Sequence, residues 1–400
     1  MLLREKTIVL GVCGGIAAYK AAELVRLYVK AGAQVHVVMT RNAQEFVTPL
    51  TFQTLTGNPV HSELFNLLQE REIGHISLAD RADVFVLAPA TANVIGKVAA
   101  GIADDLLTTT LMATKAPVLV APAMNVNMWE SPIYQQNQSK LAALGYRFVD
   151  PASGFLACGW EGKGKLADPA DIFEETLALL TPQDLAGETV LVTAGPTREE
   201  IDPVRFISNY SSGKMGFALA RMARLRGARV ILVSGPSALA TPPGVERVDV
   251  VSADEMRDVV LARWEQVSIA IKAAAVADYR PARRSARKMK KEGREDLSLE
   301  LEKNPDILAE LGRLKGTRFL VGFAAETCDL LENARKKLQA KNLDLMVAND
   351  VTQERAGFDV DTNIVRLLQP DGTEEALPEM TKDEVARHIL DRILALRRLA

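Results

Sequence analysis

The segment Thr7-Ile-Val-Leu-Gly-Val-Cys-Gly-Gly-Ile-Ala-Ala-Tyr-Lys20 joins a short apolar run to a helical pattern through a pair of glycines. A continuous Val/Ile/Leu run is typical of a strand covered on both faces of a parallel sheet. Glycines at the turn let the backbone approach a phosphate at the helix N-terminus, where free N–H groups favour an anion. A tight turn without a ligand is the alternative. The spacing is Gly-x-x-Gly-Gly, and no acid ends the second strand at Thr40, so an ordinary dinucleotide fold is disfavoured.

The same strand–helix alternation continues along the chain and predicts an α/β protein with two tandem doubly wound, mainly parallel sheets of the flavodoxin or Rossmann type. In the first half, strands are predicted at 7–12, 34–40, 83–88, 118–121 and 146–149, and helices at 16–31, 93–115, 132–144 and 168–180. A polar segment, 181–188, reads as a linker. In the second half, strands are predicted at 189–194, 229–234, 268–275, 319–323, 343–348 and 363–368, and helices at 213–226, 253–264, 306–314, 330–340 and 382–398. The predicted domains are therefore 1–185 and 186–400.

Composition sets limits on the function. The chain has 400 residues and a formal net charge of −3, so no overall field favours nucleic acid or a membrane surface. No uncharged apolar run reaches transmembrane length, and we expect no signal peptide at the charged N-terminus. The three cysteines, Cys13, Cys158 and Cys328, are scattered and odd in number, which favours a reducing cytoplasm over a disulfide framework.

Two further strand ends in the first half carry small or neutral polar residues. Leu87-Ala-Pro-Ala-Thr-Ala-Asn93 ends the third strand, and Pro122-Ala-Met-Asn-Val-Asn-Met-Trp129 follows the fourth. Asn125 or Asn127 could simply cap a helix. Alternatively, these strand ends form a ligand site, as is usual at the carboxyl edge of an open sheet. Neutral polar groups without a cluster of acids suit a flat heteroaromatic ring with one phosphate, and FMN fits that description.

These motifs, together with Ala157-Cys-Gly159, resemble those of the FMN-dependent cysteine decarboxylases. The second half resembles phosphopantothenate–cysteine ligase, so the whole chain is similar to the fused, bifunctional enzymes of coenzyme A biosynthesis. The resemblance implies CTP-dependent joining of 4′-phosphopantothenate to cysteine through an acyl-cytidylate, followed by FMN-dependent decarboxylation of 4′-phosphopantothenoylcysteine to 4′-phosphopantetheine. It implies catalytic roles for His75, Asn125 and Cys158, and FMN contacts at Gly14, Gly15, Thr40, Ala88, Thr91, Asn93 and Met124.

The residues in these roles suit the chemistry. Oxidation of the thiol by flavin gives a thioaldehyde, an electron sink for loss of CO₂, and His75 would be the base. His36 lies in a predicted strand and His388 in the last predicted helix, so neither suits a site formed by loops. His61 stays an alternative candidate for the base. Asn125, a neutral donor, can orient the substrate carboxylate without strongly stabilising its charge. Met124, Met128 and Trp129 would form the pocket wall or pack in the core. Cys158 lies in a glycine-rich segment, which indicates a mobile lid over the site. The resemblance implies that the Cys158 thiol protonates the product. Cys13, inside the turn after the first strand, is expected to be a small packing residue.

In the second half, Gly195–Gly216 joins a strand to a helix through Ser-Ser-Gly-Lys-Met215. It is not a Walker loop, because Met215 replaces the required Ser or Thr and the spaced first glycine is absent. The resemblance implies that Asn209 stabilises the acyl-nucleotide and that Asp278 reaches the nucleotide or Mg²⁺. Lys288 lies in a basic run whose register against Lys290 stays open. The implied CTP contacts are Lys272, Ala273, Ala274, Asp278, Lys288, Pro305, Asp306, Ile307, Leu308, Phe323, Lys337 and Lys341.

Two rival functions remain at this stage. One is a nicotinamide-dependent oxidoreductase, which the glycine spacing and the missing ribose acid disfavour. The other is a flavoprotein regulatory module with an inactive ligase half, which His75, Asn125 and Cys158 argue against. The expected partners are small-molecule substrates and further copies of the chain: by resemblance a trimeric decarboxylase, a dimeric ligase and a dodecamer overall. Neither nucleic acid nor a membrane is expected.

Overall fold

The computed structural model describes residues 3–64, 74–155, 159–289, 298–326, 330–350 and 359–399. The chain divides into two compact units, Met1–Pro182 and Gln183–Ala400. Within the described ranges, no helix is long and apolar enough to cross a membrane.

The first unit alternates strands and helices, as its sequence predicts. Its elements are β1 (Thr7–Val12), α1 (Ala18–Lys30), β2 (Gln34–Met39), a 3₁₀ turn (Arg41–Glu45), α2 (Pro49–Thr56), β3 (Val60–His61), α3 (Gly74–Arg81), β4 (Val84–Ala90), α4 (Ala92–Ala100), α5 (Leu106–Ala113), β5 (Val118–Pro122), α6 (Val126–Glu130), α7 (Pro132–Ala143), β6 (Arg147–Phe148), β7 (Ala152–Phe155), β8 (Glu161–Lys165) and α8 (Pro169–Leu180).

The six strands β3-β2-β1-β4-β5-β6 form one parallel sheet in that spatial order, and β7 and β8 form a separate antiparallel hairpin. The chain runs outward from β1 to β3 and then returns to β4 on the other side of β1. The loops that follow β1 and β4 therefore diverge, which leaves a crevice at the carboxyl edge of the sheet. The central strands are fully buried, and side chains such as Val9, Phe85 and Val120 form the core beneath α4, α5 and α7.

The second unit repeats this architecture. Its elements are β9 (Thr189–Ala194), β10 (Arg198–Glu200), β11 (Phe206–Ser208), α9 (Lys214–Leu225), β12 (Arg229–Ser234), β13 (Glu246–Asp249), α10 (Ala253–Arg263), a 3₁₀ turn (Trp264–Gln266), β14 (Ile269–Lys272), β15 (Tyr279–Pro281), β16 (Leu301–Lys303), α11 (Ile307–Arg313), β17 (Phe319–Glu326), α12 (Leu330–Ala340), β18 (Leu345–Asp350), β19 (Thr362–Leu368), β20 (Glu374–Thr381) and α13 (Lys382–Leu399).

Its main sheet has the order β13-β12-β9-β14-β17-β18-β19-β20. The strands from β13 to β18 are parallel, whereas β19 and β20 add an antiparallel hairpin at one edge. The direction of winding reverses between β9 and β14, so the crevice of this unit lies where those two strands end. The α/β class with two mainly parallel sheets is thereby confirmed.

Two sequence predictions need correction. The helix predicted over 93–115 is two helices, because Gly101 ends α4 with a left-handed φ of 72° and Asp105 starts α5 with a capping box to Thr108. The strand predicted over 268–275 stops at Lys272. Beyond it, the N–H groups of Ala274 and Ala277 donate to the hydroxyls of Thr193 and Thr197, and backbone pairing persists only as an isolated bridge between Pro196 and Ala275.

Candidate active sites

A cavity of about 930 Å³ lies at the crevice of the first unit. It is lined by the loops after β1, β2, β4 and β5 and by the β7–β8 hairpin. Seven of the predicted first-half site residues meet there: Gly14, Gly15, Thr40, Thr91, Asn93, Met124 and Asn125. Neutral and apolar groups form most of the wall, which suits a flat aromatic ring.

The two glycines of the β1–α1 loop have different reasons to be glycine. A Cβ on Gly14 would lie 2.7 Å from the backbone carbon of Asn42, so a side chain there would displace the loop after β2. A Cβ on Gly15 would meet nothing closer than Thr91 Cγ2 at 3.9 Å. Gly15 therefore presents bare backbone to the cavity beside the start of α1, whose N-cap Ala17 makes no side-chain capping bond. This is the geometry that a single phosphate requires.

Threonine hydroxyls shape the neighbouring loops. Thr40 Oγ1 accepts a hydrogen bond from Ala43 N (3.2 Å) at the 3₁₀ turn, and Thr91 Oγ1 accepts from Val94 N (3.4 Å) at the start of α4. Burial raises the pKa of Cys13 to about 12, so this thiol beside Thr91 stays protonated at neutral pH. Cys13 is fully buried and does not line the cavity.

Asn125 is both a helix cap and a cavity residue. Its Oδ1 accepts from Asn127 N at 2.8 Å, which makes it the N-cap of α6, and it also lines the cavity. Met124 N donates to Gly164 O (2.9 Å), and a Cβ on Gly164 would lie 2.4 Å from Met124 O. The β7–β8 hairpin can therefore lie directly on the Met124–Asn125 backbone. Met124 and Met128 line the cavity, whereas Trp129 is buried against Tyr134.

The other predicted residues of this half lie elsewhere. His75 is half-buried on α3 and Ala88 is fully buried in β4, and neither lines the cavity of its own chain. His61 lies on β3 with its ring centroid 6.4 Å from that of His36, also away from the cavity. Cys158 falls outside the described residues.

Several charged side chains line the cavity that the motif analysis missed. Lys97 on α4 donates to Asp104 (2.7 Å) and lies 3.7 Å from Asp105, which also lines the cavity. The hydrogen bond to Asp104 raises the pKa of Lys97, so it is cationic at neutral pH. Lys165 on β8, Lys20 on α1 and Arg41 in the 3₁₀ turn are further basic residues of the wall. A signal for Lys97 existed, since it follows the predicted contact Asn93 by one helical turn.

The second unit contains two adjoining cavities, of about 480 and 420 Å³, at the ends of β9, β14 and β17. We call the first the nucleotide cavity, after the CTP contacts that the sequence analysis predicts there, and the second the loop cavity. They share the wall residues Ala274, Val276, Asp278, Phe323 and Lys337. The nucleotide cavity also contains the predicted residues Lys272, Pro305, Asp306, Ile307, Leu308 and Lys341, and the loop cavity contains Asn209 and Ala273.

The loop cavity depends on close backbone contacts. Asn209 Nδ2 donates to Ala275 O at 3.0 Å, which ties the loop before α9 to the segment after β14. Gly213 caps α9 with a left-handed φ of 86°. A Cβ on Gly235 would lie 1.8 Å from Pro196 O, so only glycine fits there. The amide of Asn209 has a second N–H, which can donate to charge in this cavity.

Charged groups in the nucleotide cavity are coupled. Lys272 is 6% exposed, and burial lowers its pKa to about 7, partly offset by the carboxylate of Asp306. Burial acts to raise the pKa of Asp306, but bonds from Lys341 Nζ (3.1 Å) and Ala309 N (3.0 Å) outweigh it, and the pKa lies below its ordinary value. Asp306 is therefore ionised and also caps α11.

Lys288 lies outside both cavities, whereas Asp278, the predicted Mg²⁺ ligand, lies in the wall that they share. Lys288 is exposed and lines neither cavity of its own chain, and Lys290 falls outside the described residues. Asp278 lines both cavities. In the described part of the chain, no group of three or more His, Cys, Asp or Glu side chains could hold a metal ion. One carboxylate suits Mg²⁺ that takes its other ligands from substrate phosphates and water.

Comparisons with known proteins follow the division into two units. Residues 2–181 match the Flavoprotein family, and residues 185–396 match the family described as DNA/pantothenate metabolism flavoprotein C-terminal domain. The chain is 51% identical over 399 residues to the coenzyme A biosynthesis bifunctional protein CoaBC of Bacillus subtilis (strain 168), covering 99% of this chain and 98% of that protein. It is 48% identical to the protein of the same name from Escherichia coli (strain K12), over 98% of each. The crystal structure of the C-terminal domain of a CoaBC protein is 45% identical, with a TM-score of 0.47, and covers 55% of this chain and 100% of that domain.

Proposed function

This chain belongs to the family of bifunctional coenzyme A biosynthesis proteins, with a flavoprotein decarboxylase half and a ligase half, and from this we propose how its two sites divide the work. The second unit joins 4′-phosphopantothenate to cysteine at the expense of CTP. The first unit decarboxylates the resulting 4′-phosphopantothenoylcysteine with bound FMN. The observation that carries the proposal is the meeting of seven predicted site residues in one cavity and of twelve others in two adjoining cavities.

The residues of the first cavity fit FMN. Gly15 and the start of α1 would hold the single phosphate, and the wall from Thr91 to Met124 would hold the ring. Bound flavin supplies reversible two-electron oxidation of the substrate thiol. Asn125 would orient the substrate carboxylate with its side-chain amide, whose Oδ1 accepts from Asn127 N. A neutral donor holds the carboxylate without strongly stabilising the charge that is lost with CO₂.

The base and the proton donor remain assignments by resemblance. His75 does not line the cavity of its own chain, so we propose that it serves a cavity of a neighbouring copy in a trimer. Exposed apolar side chains around the cavity, Ile16, Tyr19 and Phe155, support such an assembly. Cys158 would donate the proton that completes the product. The dimeric ligase, the dodecamer and the reducing compartment inferred from cysteine usage stay predictions.

In the second unit, the shared wall is where the two substrates would meet. Attack of the phosphopantothenate carboxylate on the α-phosphate of CTP gives an acyl-cytidylate and pyrophosphate, and the cysteine amine then displaces CMP. Asn209, tethered to Ala275 O, can donate its second N–H to the charge that develops. Mg²⁺ on Asp278 would neutralise the triphosphate. Lys288 would reach the triphosphate only from outside the described cavity wall.

A pair of variants tests this division. Cys158→Ala should stop formation of 4′-phosphopantetheine while ligation proceeds, and Asn209→Ala should stop ligation while decarboxylation of supplied 4′-phosphopantothenoylcysteine continues. The measurements, made on the same preparations, are pyrophosphate release from CTP for ligation and formation of 4′-phosphopantetheine for the first unit, since the step assigned to Cys158 follows the loss of CO₂. Loss of both activities in both folded variants, or a purified protein without a flavin spectrum, contradicts the proposal.

A further inference from the structure

The floor of the nucleotide cavity carries a hydrogen-bond donor without a strong acceptor. Lys272 ends β14, and its Nζ lies 3.7 Å from Met256 Sδ. Among the described residues, this thioether is the only hydrogen-bond acceptor of that amine, and a thioether is a weak one. A buried amine with three possible donors and one weak acceptor leaves a place for an acceptor from a ligand.

The same cavity contains the complementary group. Asn304 Nδ2 donates to Ala277 O at 2.8 Å, which fixes the orientation of the amide. Its backbone N donates to Asp278 O at 2.9 Å, so the residue is held at two points. Asn304 Oδ1 is buried and has no hydrogen-bond partner within the described ranges. Since a buried acceptor is rarely left unpaired, Oδ1 is a second position that a ligand can satisfy.

The lining of the cavity combines apolar side chains with solvated lysines. The apolar residues Ile307, Leu308, Phe323 and Met346 line the cavity together with Lys272 and Asn304. Three other lysines of the wall, Lys303, Lys337 and Lys341, are exposed or half-buried. Charged phosphates keep water most easily beside the solvated lysines, whereas a flat base suits contact with the apolar side chains.

The amine of Lys272 is poorly suited to bind a phosphate at this depth. Burial brings its pKa to about 7, with Asp306 acting to raise the pKa and Lys341 to lower it further. Near neutral pH a large fraction of the amine is uncharged, and an uncharged amine donates to a ring nitrogen or carbonyl at little electrostatic cost.

We infer that Lys272 Nζ and Asn304 Oδ1 together read the edge of the cytosine base and so set the preference for CTP. The inference rests on the proposed function and deepens it. Cytosine presents the N3 acceptor beside the donor of its 4-amino group, which matches the donor and the acceptor of the pair in the cavity. Uracil presents an N3–H donor beside the O4 acceptor, which opposes the pair. A site with fixed polar groups rejects a ligand that leaves those groups unpaired.

The experiment measures binding to the full-length protein by calorimetry, without turnover. The ligands are CTP, UTP, CMP and inorganic triphosphate, each with Mg²⁺. The variants are Lys272→Met and Asn304→Ala, and Lys336→Met is the matched control, since Lys336 is 69% exposed, pairs with Glu332 and lines neither cavity. Circular dichroism confirms that each variant is folded.

Both variants should weaken CTP and CMP by the same factor of at least tenfold, leave inorganic triphosphate unchanged, and reduce the CTP/UTP preference to within about threefold. The control should match the wild type for every ligand. Unchanged CTP affinity in both variants overturns the inference while leaving the ligase intact. An equal loss for triphosphate and CTP assigns Lys272 to the phosphates and also overturns it. A wild-type protein that binds no CTP overturns the proposed function itself.

Discussion

Replacing Lys272 by methionine should stabilise the second unit, although the same change should weaken CTP binding. The side chain is buried against Met256 Sδ, and a methionine of similar length can occupy the same space without a charge to bury. The pKa of the Lys272 amine is 10.5 when the side chain is in water and about 7 in the folded protein. Because the folded pKa is the lower one, the unfolded chain binds more protons between these values. The stability of the wild type therefore rises with pH across that window.

The magnitude follows from the shift. At roughly 1.4 kcal/mol per pKa unit, the cost of keeping the buried ammonium charged is at most about 5 kcal/mol, and it is fully present below pH 7. Replacement of buried charges by apolar side chains of similar volume stabilises other proteins by about 1–4 kcal/mol. We therefore expect Lys272→Met to raise the free energy of unfolding of this unit by about 2–4 kcal/mol at pH 6.5, falling below about 1 kcal/mol by pH 10.

The assay is urea unfolding at pH 6.5, 8 and 10, followed by the fluorescence of Trp264. Trp264 is buried in the core of the second unit, and the other two tryptophans, Trp129 and Trp160, are replaced by phenylalanine in every protein compared. Lys336→Met serves as the exposed control and should change stability by less than about half a kcal/mol. A destabilised Lys272→Met at pH 6.5, or a difference that does not vary with pH, refutes the reasoning.

Three further predictions concern the walls of the sites. Gly14→Ala places a methyl group against the backbone of Asn42 and should weaken flavin binding at least tenfold, measured by the absorbance of retained flavin after dialysis. Asn125→Asp keeps a good helix cap but brings a negative charge to the substrate carboxylate; CO₂ release should fall about 100-fold with flavin retained, and unchanged turnover would exclude the assigned role. Gly235→Ala meets Pro196 O and should destabilise the second unit by about 1–3 kcal/mol in urea, leaving the flavin spectrum unchanged.

Periodicity predicted the buried strands well because a strand covered on both faces has a continuous apolar sequence. The predicted range 7–12 is β1 itself, and 229–234 is β12. Local capping was harder to use. Gly101 and Asp105 carried the signals that divide 93–115 into two helices, yet the apolar pattern on either side concealed them. The strand β20 was missed since its sequence is polar at an exposed sheet edge.

The candidate site residues, like the secondary structure, could be predicted where a local sequence pattern marks them. Motifs at strand ends located Gly14, Thr91 and Asn125 because such ends converge at one edge of a sheet. Lys97 was missed, and Asn304 was noted only as the first residue of the Asn304–Leu308 motif, since the importance of each depends on what lies beside it after folding. Asn304 reads as an ordinary residue before a proline, and only its buried Oδ1 distinguishes it.

Each unit is built from one continuous stretch of chain, with a boundary after Pro182. Translation at about 5–20 residues per second leaves roughly 10–45 s between the emergence of this boundary and the release of residue 400. Leu166 is the last residue along the chain among the described residues that line the first cavity. All of them have therefore left the ribosome once residue 166 has emerged. The nascent polypeptide can therefore complete the flavin-binding surface of its own chain before the second half has been synthesised, so an error late in the message would leave that surface intact.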